Sequence, residues 1–461
     1  MALRGLRPWA GVLAAVAIVA AAVLAARGTG AADQKPGGSA ATRAATHSPA
    51  AGRRSRFARV ALAVPQGNAG GAFSSRHALT LPRGWRAEVW ARVGGARFEA
   101  WTPQGDLLVS VPGAGQVWRL APGAHPGNPP SMHLLVSGLS LPQGLAFDRL
   151  GGHEVLYVAD TDQVDRYVWN GRSVGARTVI AGGLPTGGAH GLKEVAIGRD
   201  HTVYVDIGSA TNADPPAATR PPRAAVLAYS SQGGHMRVVA TGVRNGDGLS
   251  VAPDGTLWTA VNQRDQIAYP FHRAYGGEAN AFGRVFQGYL NDHPPDEVAR
   301  LTPGRNLGWP FCNPDPDLRP GRAGSLTSYA NMPFDADPQV NPGGRRLRCA
   351  KLPRIQRGIP AHSAPLGFHF LHHSKLPKRW AGGALLAVHG SWDREPPRPP
   401  AVLWLPWESR ARTLGPAVTL VGGFQNRDGS RWGRPADAVV GPDGALYVSD
   451  DTAGAIYRIV P

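Results

Sequence analysis

The sequence predicts an all-β fold, a six-bladed β-propeller, from three observations. A module of two short apolar runs joined by a turn recurs six times, and its first four copies lie about 45–55 residues apart. Such spacing is typical of propeller blades. The chain is rich in turn-forming residues, with 60 Gly and 42 Pro among 461 residues. Long helical periodicity is absent beyond residue 80, and many short strands favour an all-β fold.

The turns of the modules carry the clearest signal. In the two best copies the turn is Asp254-Gly255 or Asp443-Gly444, set between apolar alternations. Asp-Gly favours a hairpin because glycine adopts positive φ without steric penalty. The six copies span residues 100–109, 145–158, 195–205, 250–258, 366–388 and 439–448. Because a propeller gathers its loops around a central channel, the repeat also predicts where a ligand would bind.

Residues 1–32 are predicted to be a signal peptide or a membrane anchor, separate from the fold. Arg4 and Arg7 precede an uncharged, mostly apolar run over 9–26, and small residues follow it. The run is long for a signal-peptide core and short for a membrane span, so cleaved signal and retained anchor both stay open. Either alternative predicts export of the main domain to the periplasm or the extracellular space.

Residues 33–77 are predicted to be a disordered linker, followed by the propeller at 78–461. The linker consists largely of Ala, Gly, Ser, Pro and Arg, with little apolar pattern. The first 60 residues hold nine Lys or Arg and one acidic residue, which is +8 of the formal +17. A basic tail suits an anionic membrane surface. No nucleic-acid motif is visible, so we expect no nucleic-acid partner.

The chain contains two cysteines, Cys312 and Cys349. In an exported domain an even count favours one disulfide over two free thiols. No CxxC motif or nearby histidine spacing accompanies them, so a cysteine metal site is not expected.

Polar residues precede four of the six modules. They are Gln143 before the second copy, His190 before the third, Arg244-Asn245 before the fourth and Arg434 before the sixth. In a propeller these positions converge at the mouth of the channel and predict a binding site. Arginine suits carboxylates, and a neutral histidine can take a hydroxyl proton near pH 7. The His-Glu-x-x-His helix and the Rossmann glycine fingerprint are absent.

Short motifs occur in a recognisable order along residues 78–461. They include Leu81-Pro82-Arg83-Gly84-Trp85, Arg244-Asn245, Asn306-Leu307-Gly308-Trp309-Pro310, His362-Ser363-Ala364-Pro365, His389-Gly390-Ser391-Trp392-Asp393-Arg394 and Gly433-Arg434-Pro435. In these motifs the chain resembles the exported PQQ-dependent sugar dehydrogenases, and their sorbosone and pyranose dehydrogenase branch is closer than the glucose branch.

The resemblance implies a propeller that holds PQQ over a Ca²⁺ ion on its axis. His190 matches the general base, which takes the proton of a sugar C1 hydroxyl while hydride passes to the quinone. Arg244 and Asn245 match residues that lie against the quinone oxygens and stabilise developing negative charge. Gln143 matches a glutamine that contacts the cofactor.

Further roles follow from the same resemblance. The arginines expected to pair with PQQ carboxylates are Arg434, Arg431 and, by a looser alignment, Arg394. The Ca²⁺ ion of the family takes main-chain oxygens after the fourth module, which here belong to Gln263 and Arg264. Asp265 is adjacent and adds a carboxylate, since Ca²⁺ accepts mixed oxygen ligands.

The chain departs from the glucose branch around its expected base. That branch has an aspartate directly before the histidine and another nineteen residues after it, where this chain has Ala189 and Ser209. Without an orienting carboxylate the imidazole is a weaker base, unless Asp206 takes that role. An insertion over about residues 266–293 is expected to cap the site or to alter the metal loop.

Two further motif-borne histidines and one tryptophan have predicted places. His362 and His389 are expected to pack around the site rather than to react. Trp432, beside Arg434, is the best candidate for an aromatic platform under a sugar.

The sequence therefore predicts a PQQ enzyme that oxidises an aldose or sugar aldehyde and passes electrons to a quinone or cytochrome. No CxxCH motif occurs, so any haem belongs to another protein. The alternatives are an exported propeller that only binds a ligand, and a Ca²⁺-dependent lactonase-type propeller, which the arginine-rich axis disfavours.

Overall fold

The computed structural model describes residues 56–125, 127–315, 329–372 and 374–461, so the predicted signal or anchor segment lies outside the described residues. Among the described residues no helix is both long and apolar enough to span a bilayer. The first strands are β1 (Phe57–Ala63), β2 (Ala78–Pro82) and β3 (Arg86–Arg92). The predicted linker at 33–77 is too long, because β1 pairs with both β2 and β3. Its residues 33–55 lie outside the described part.

Three four-stranded units follow in chain order. The first is β4 (Glu99–Trp101), β5 (Leu107–Val111), β6 (Gln116–Ala121) and β7 (Ser131–Val136). The second is β8 (Leu145–Leu150), β9 (His153–Ala159), β10 (Val164–Trp169) and β11 (Val174–Ala181). The third is β12 (Val195–Ile197), β13 (Val203–Ile207), β14 (Ala225–Tyr229) and β15 (Arg237–Thr241).

The fourth unit is less regular because an insertion and the cysteine-bearing loop interrupt it. It contains β16 (Gly248–Val251), β17 (Leu257–Val261), the helical turn α1 (Gln287–Leu290), β18 (Asp296–Leu301), β19 (Arg305–Asn306), β20 (Cys312–Pro314), β21 (Ala330–Met332), β22 (Phe334–Ala336) and β23 (Ile355–Ile359). Here β19 extends the third sheet, while β20 and β22 form a separate hairpin. Short 3₁₀ turns occupy Gln66–Asn68, Gly71–Ser74, Pro112–Ala114, Pro342–Gly344 and Cys349–Lys351.

The last two units complete the ring. The fifth contains β24 (Pro365–Phe370), β25 (Ala384–Val388), β26 (Ala401–Leu405), the short pair β27 (Trp407–Glu408) and β28 (Thr413–Leu414), and β29 (Val418–Val421). The sixth contains β30 (Pro435–Val440), β31 (Leu446–Asp450) and β32 (Ala455–Val460). The outer strand of this blade comes from the N-terminal part of the described chain, because β3 pairs antiparallel with β32.

These sheets form the predicted six-bladed propeller. The strands β4, β8, β12, β16, β24 and β30 each contact the next in that order, and β30 contacts β4. They are therefore the innermost strands around one channel, and the six sequence modules are the innermost hairpins. The turn glycines Gly255 and Gly444 have φ of 83° and 81°, as a hairpin of this kind requires.

Two additions lie on the fourth blade. Cys312 and Cys349 form the predicted disulfide, with a Cα–Cα distance of 5.6 Å. The insertion has a small apolar core of its own that includes Tyr269 and Tyr289. Its end packs against the loop after β25, where Gln287 Nε2 donates to the Asp393 carbonyl at 2.9 Å.

Candidate active site and an adjoining carboxylate–histidine cluster

His190 lies on the loop that leads into β12, and its hydrogen bonds determine its tautomer. Its Nδ1 is 2.9 Å from the Ser209 hydroxyl oxygen and 3.1 Å from the Ser209 carbonyl. The carbonyl can only accept, and the hydroxyl already donates to the Thr211 carbonyl at 2.7 Å. Nδ1 therefore carries the proton, and Nε2, which no described residue bonds, is left as the basic nitrogen.

The surroundings of His190 keep the ring neutral. Burial and, to a smaller extent, the positive charge of Arg244 lower the pKa of His190 to about 4. Asp206 does not orient the ring, contrary to one sequence-based expectation. It accepts a hydrogen bond from the Glu194 main-chain N–H and is fully buried. Ser209 takes the orienting role instead, so this imidazole has a neutral partner where the glucose branch has a carboxylate.

The absence of a side chain at Gly208 allows His190 and Asn245 to lie close together. A methyl group at Gly208 would come within 2.5 Å of the His190 Cβ and 3.2 Å of the Asn245 Oδ1. No real side chain fits at that separation, so the close approach of the two loops depends on this glycine.

A hydrogen-bonded network continues from Asn245 around the mouth of the channel. Asn245 donates to Asp247 at 3.0 Å, Gln143 donates to the same carboxylate at 3.3 Å, and Arg97 donates to Gln143 Oε1 at 3.0 Å. The Oδ1 of Asn245 is buried and has no partner among the described residues. The structure thus brings Gln143, His190 and Asn245 together, as their positions before the modules predict.

Arg97 is a site residue that the sequence analysis missed. It occupies before β4 the position that Gln143 holds before β8, so the same positional rule could have found it. Its Nη1 is 2.8 Å from Asp451, whose other oxygen lies 2.9 Å from His389 Nε2. His389 therefore holds an interior position in the network, and burial lowers its pKa to about 4.

Arg434 and Arg431 add positive charge to the network beside the loop that carries His389 and Ser391. Arg434 Nε donates to the His389 carbonyl at 2.9 Å, and Arg431 donates to the Ser391 carbonyl. Arg431 Nε is buried without a partner among the described residues. Burial lowers the pKa of Arg434, and the nearby charge of Arg431 lowers it further. An anionic ligand beside these two guanidinium groups would offset their repulsion.

Arg394 and Trp432 also have sequence-based expectations in this region. Arg394 braces the loop after β25, because its Nε donates to the Asn291 carbonyl at 3.0 Å and its Nη1 to the Pro396 carbonyl. Its predicted contact with a cofactor stays a prediction. Trp432 is 9% exposed, donates to the Gly423 carbonyl and stacks on His77. It is a core residue, whereas Trp392 is 70% exposed.

Residues 263–265, the expected metal loop after β17, are fixed by hydrogen bonds and ion pairs with neighbouring side chains. Gln263 donates its main-chain N–H to Asp296 at 2.9 Å and its side-chain amide to Glu297 at 2.7 Å. The Arg264 side chain is buried and pairs with Asp337. Only Asp265 turns a carboxylate towards the site, and its Oδ2 accepts from Arg244 at 2.9 Å.

Asp265 belongs to a cluster with His362 and Asp393, whose ligand-type atoms all lie within 4.8 Å of one another. His362 Nδ1 is 3.3 Å from Asp393 Oδ1 and 3.9 Å from Asp265 Oδ1. His362 was expected only to pack, and Asp393 had no assigned role. The three residues come from different loops, so the spacing of His and Asp residues along the sequence does not predict the cluster.

A strained turn presents His362 to the two aspartates. His362 and Ala364 have φ of 56° and 52°, left-handed values that are unfavourable for residues other than glycine. The buried carboxylate of Asp296 stabilises this turn by accepting from the Ser363 N–H at 2.7 Å and the Ala364 N–H at 3.1 Å. Because Asp296 also binds the Gln263 N–H, one side chain fixes two loops of the cluster. Strain of this kind tends to concentrate at functional sites.

Beneath the mouth the channel is lined by buried carboxylates, among them Glu99 and Glu194. Burial raises the pKa of both well above the usual range, and the charge of Asp437 raises both further. The raised pKa values favour the neutral form of both groups, so this part of the channel is polar while the charges of the arginines lie at the mouth.

The fold and site define a six-bladed propeller with a basic, hydrogen-bonded channel mouth. A family model described as TrAA12-like matches residues 79–461, and the chain belongs to this family. The sequence-based resemblance is thereby confirmed at the level of family and fold. A curated relative, an uncharacterized protein of Borreliella burgdorferi, is 26% identical over 263 residues. That match spans 57% of this chain and 58% of the relative's length.

Solved structures of similar fold support the same placement. The PQQ domain of pyranose dehydrogenase from Coprinopsis cinerea, in its holo form, superposes with a TM-score of 0.67 at 19% identity, covering 87% of this chain and 100% of that one. The calcium structure of a Trichoderma reesei carbohydrate-active enzyme of family AA12 gives 0.65 at 20% identity, with coverages of 82% and 96%. At these identities the likeness concerns the fold.

Proposed function

We propose that the protein is a PQQ-dependent oxidoreductase that oxidises an aldose or a sugar aldehyde. Family membership and the PQQ-containing pyranose dehydrogenase domain support a sugar oxidoreductase. The observation that carries the proposal is the tautomer of His190. Its Nδ1–H is committed to Ser209, and its Nε2 is a neutral base at the mouth of the channel.

The residues at the mouth suit PQQ, which carries several carboxylates. Arg431 and Arg434 supply guanidinium donors, and their mutual repulsion would be relieved by an anion. Asn245 and Gln143 lie on the opposite part of the network and would contact the quinone ring system. Bound there, PQQ would accept the hydride equivalent of the sugar.

The residues of the chain would then handle the proton. His190 Nε2 takes the proton of the sugar hydroxyl, and Ser209 holds the ring in the required orientation throughout. The imidazolium that forms is disfavoured by burial and by Arg244, so it returns its proton readily to solvent. Arg244 also offers positive charge near the reacting centre, where negative charge develops.

The remaining parts of the proposal concern the cell. We propose that the protein is exported and passes electrons to a quinone or a cytochrome, with the basic N-terminal segment near a membrane surface. The disulfide between Cys312 and Cys349 supports an oxidising compartment. A Ca²⁺ ion on the main-chain oxygens of Gln263 and Arg264 is part of the proposal, and the calcium structure of the AA12 relative supports Ca²⁺ as its identity.

The test mixes purified protein with PQQ, a divalent cation, a dye acceptor and a panel of aldoses. We expect sugar-dependent dye reduction, and we expect His190→Ala to abolish it while PQQ absorbance survives desalting. His372→Ala is the matched control, because His372 is an exposed histidine that bonds the Val251 carbonyl. Retained PQQ without dye reduction by any sugar would favour a binding module, and lactone hydrolysis without PQQ would favour the lactonase alternative.

A further inference from the structure

We infer that Asp265, His362 and Asp393 form a side-chain site for a divalent transition metal of the Zn²⁺ type. The inference stands apart from the proposed redox activity, because the three residues would bind the ion without PQQ. The resemblance implies Ca²⁺ on the main-chain oxygens of Gln263 and Arg264 with Asp265 beside them. The site inferred here shares Asp265 but takes its other ligands from the side chains of His362 and Asp393.

The hydrogen bonds of His362 place the lone pair of the neutral ring on Nδ1. Nε2 lies 2.8 Å from the Leu290 carbonyl and 3.0 Å from the His293 carbonyl. Both carbonyls can only accept, so Nε2 carries a proton. In the neutral ring the Nδ1 lone pair then faces two carboxylates. That arrangement is repulsive unless a cation lies between them.

Asp393 provides the second observation. Its side chain is 1% exposed, and neither carboxylate oxygen accepts a hydrogen bond from any described residue. A buried carboxylate without partners is strongly unfavourable, because burial removes its hydration. Its Oδ1 lies 3.3 Å from the same His362 nitrogen. A metal ion at this point would satisfy both groups.

The distances suit a small ion. Ligands about 2.1 Å from Zn²⁺ in tetrahedral geometry lie roughly 3.4 Å apart. The separation of 3.3 Å between His362 Nδ1 and Asp393 Oδ1 is close to that value, and the 3.9 Å separation from Asp265 Oδ1 exceeds it. All three ligand-type atoms lie within 4.8 Å of one another. An imidazole nitrogen favours Zn²⁺ and similar d-block ions, whereas Ca²⁺ takes six to eight oxygens. Three protein ligands also leave a coordination position for water or substrate.

Hydrogen bonds with neighbouring groups orient His362 and Asp265, as is common for the ligands of metal sites. The carbonyls of the insertion fix the His362 ring, a common arrangement for ligating histidines. Asp265 binds Arg244 through Oδ2 and would offer Oδ1 to the ion. The insertion therefore shapes the metal loop, and the ion and Arg244 would share one carboxylate.

The experiment uses the chelator-treated full chain without PQQ and titrates it with Zn²⁺, Mn²⁺ or Ca²⁺ by calorimetry. We expect one Zn²⁺ per chain, bound at least 100-fold more tightly than Ca²⁺. His362→Asn and Asp393→Asn should each weaken Zn²⁺ binding 10- to 100-fold or more, while His372→Asn should leave it unchanged. Circular dichroism shows whether each variant folds.

A measurement on the wild-type chain keeps the inference falsifiable if the variants misfold. Co²⁺ substituted at the site should give the visible absorption of a low-coordinate ion with a nitrogen ligand, and Zn²⁺ should displace it. Ca²⁺ binding as tight as Zn²⁺ binding, or no cation binding at all, overturns the inference. In the second case the cluster would be a histidinium held by two carboxylates. Failure of dye reduction with intact Zn²⁺ binding would refute only the proposed redox function.

Discussion

Ser209 accepts the Nδ1–H of His190 at 2.9 Å, and this pair replaces the carboxylate–histidine pair expected of a stronger base. Because burial lowers the pKa of His190 to about 4, nearly all of the His190 side chains are in the neutral, reactive form at pH 7. We expect dye reduction to stay level on acidification to about pH 5 and to fall through pH 4.

Ser209→Asp tests this relationship. A carboxylate beside Nδ1 stabilises the protonated ring and raises the pKa of His190, so the acid limb of the kcat/KM profile should move to higher pH. Ser209→Ala removes only the hydroxyl, and the main-chain carbonyl at 3.1 Å still fixes the tautomer. A modest loss of kcat without a shift of the limb is expected there. An unshifted limb in Ser209→Asp would refute the assignment of His190 as the titrating base.

Gly208→Ala should disable the site through sterics. The added methyl group would meet the His190 Cβ at 2.5 Å, so the two loops must separate. We expect a drop in kcat of at least tenfold and a loss of about 1–3 kcal/mol in the free energy of unfolding. Gly94→Ala is the matched control, because a methyl group added at Gly94 would meet no atom within 4 Å. Equal activities of the two variants would contradict the described packing.

Arg434→Gln should weaken PQQ binding about 10- to 100-fold, since charge-assisted hydrogen bonds contribute about 1.5–3 kcal/mol. Equilibrium dialysis of PQQ measures the change. Arg412→Gln is the control, because Arg412 is an exposed partner of Asp254 and takes no part in the network at the mouth. If Arg394 contacts the cofactor as the resemblance implies, Arg394→Gln should cause a comparable loss of PQQ affinity, and an affinity like that of the control would refute this contact.

The disulfide should stabilise the fourth blade. In the chain-entropy model, closing a loop of 37 residues contributes about 3–4 kcal/mol. Replacing Cys312 and Cys349 by serine should therefore lower the urea midpoint of unfolding. Reduced wild-type protein should unfold at the same midpoint as the double variant. A midpoint that neither treatment changes would show that the loop adds no measurable stability.

The sequence predicts the blades well because their signals are local. Alternating apolar residues and Asp-Gly turns specify each inner hairpin, and position before a module places Gln143, His190 and Asn245 at one mouth. Arg97 obeys the same rule. The cluster of Asp265, His362 and Asp393 could not be predicted, because three separate loops meet only through tertiary packing around Asp296. The role of Ser209 also needed the structure, since its hydroxyl and carbonyl both serve Nδ1.

Trp392 is the aromatic residue that we expect to contact the sugar. It is 70% exposed, yet its neighbours Ser391 and Asp393 are buried, so a fixed loop presents its ring. Arg431 donates to the Ser391 carbonyl, which connects this loop to the arginine residues at the mouth. Tryptophan rings bind the apolar faces of sugars through burial of surface. Trp392→Ala should therefore raise KM for the preferred aldose several-fold with little change in kcat or in PQQ affinity. Trp392→Phe should keep most of the affinity. An unchanged KM in the alanine variant would place the sugar away from this loop.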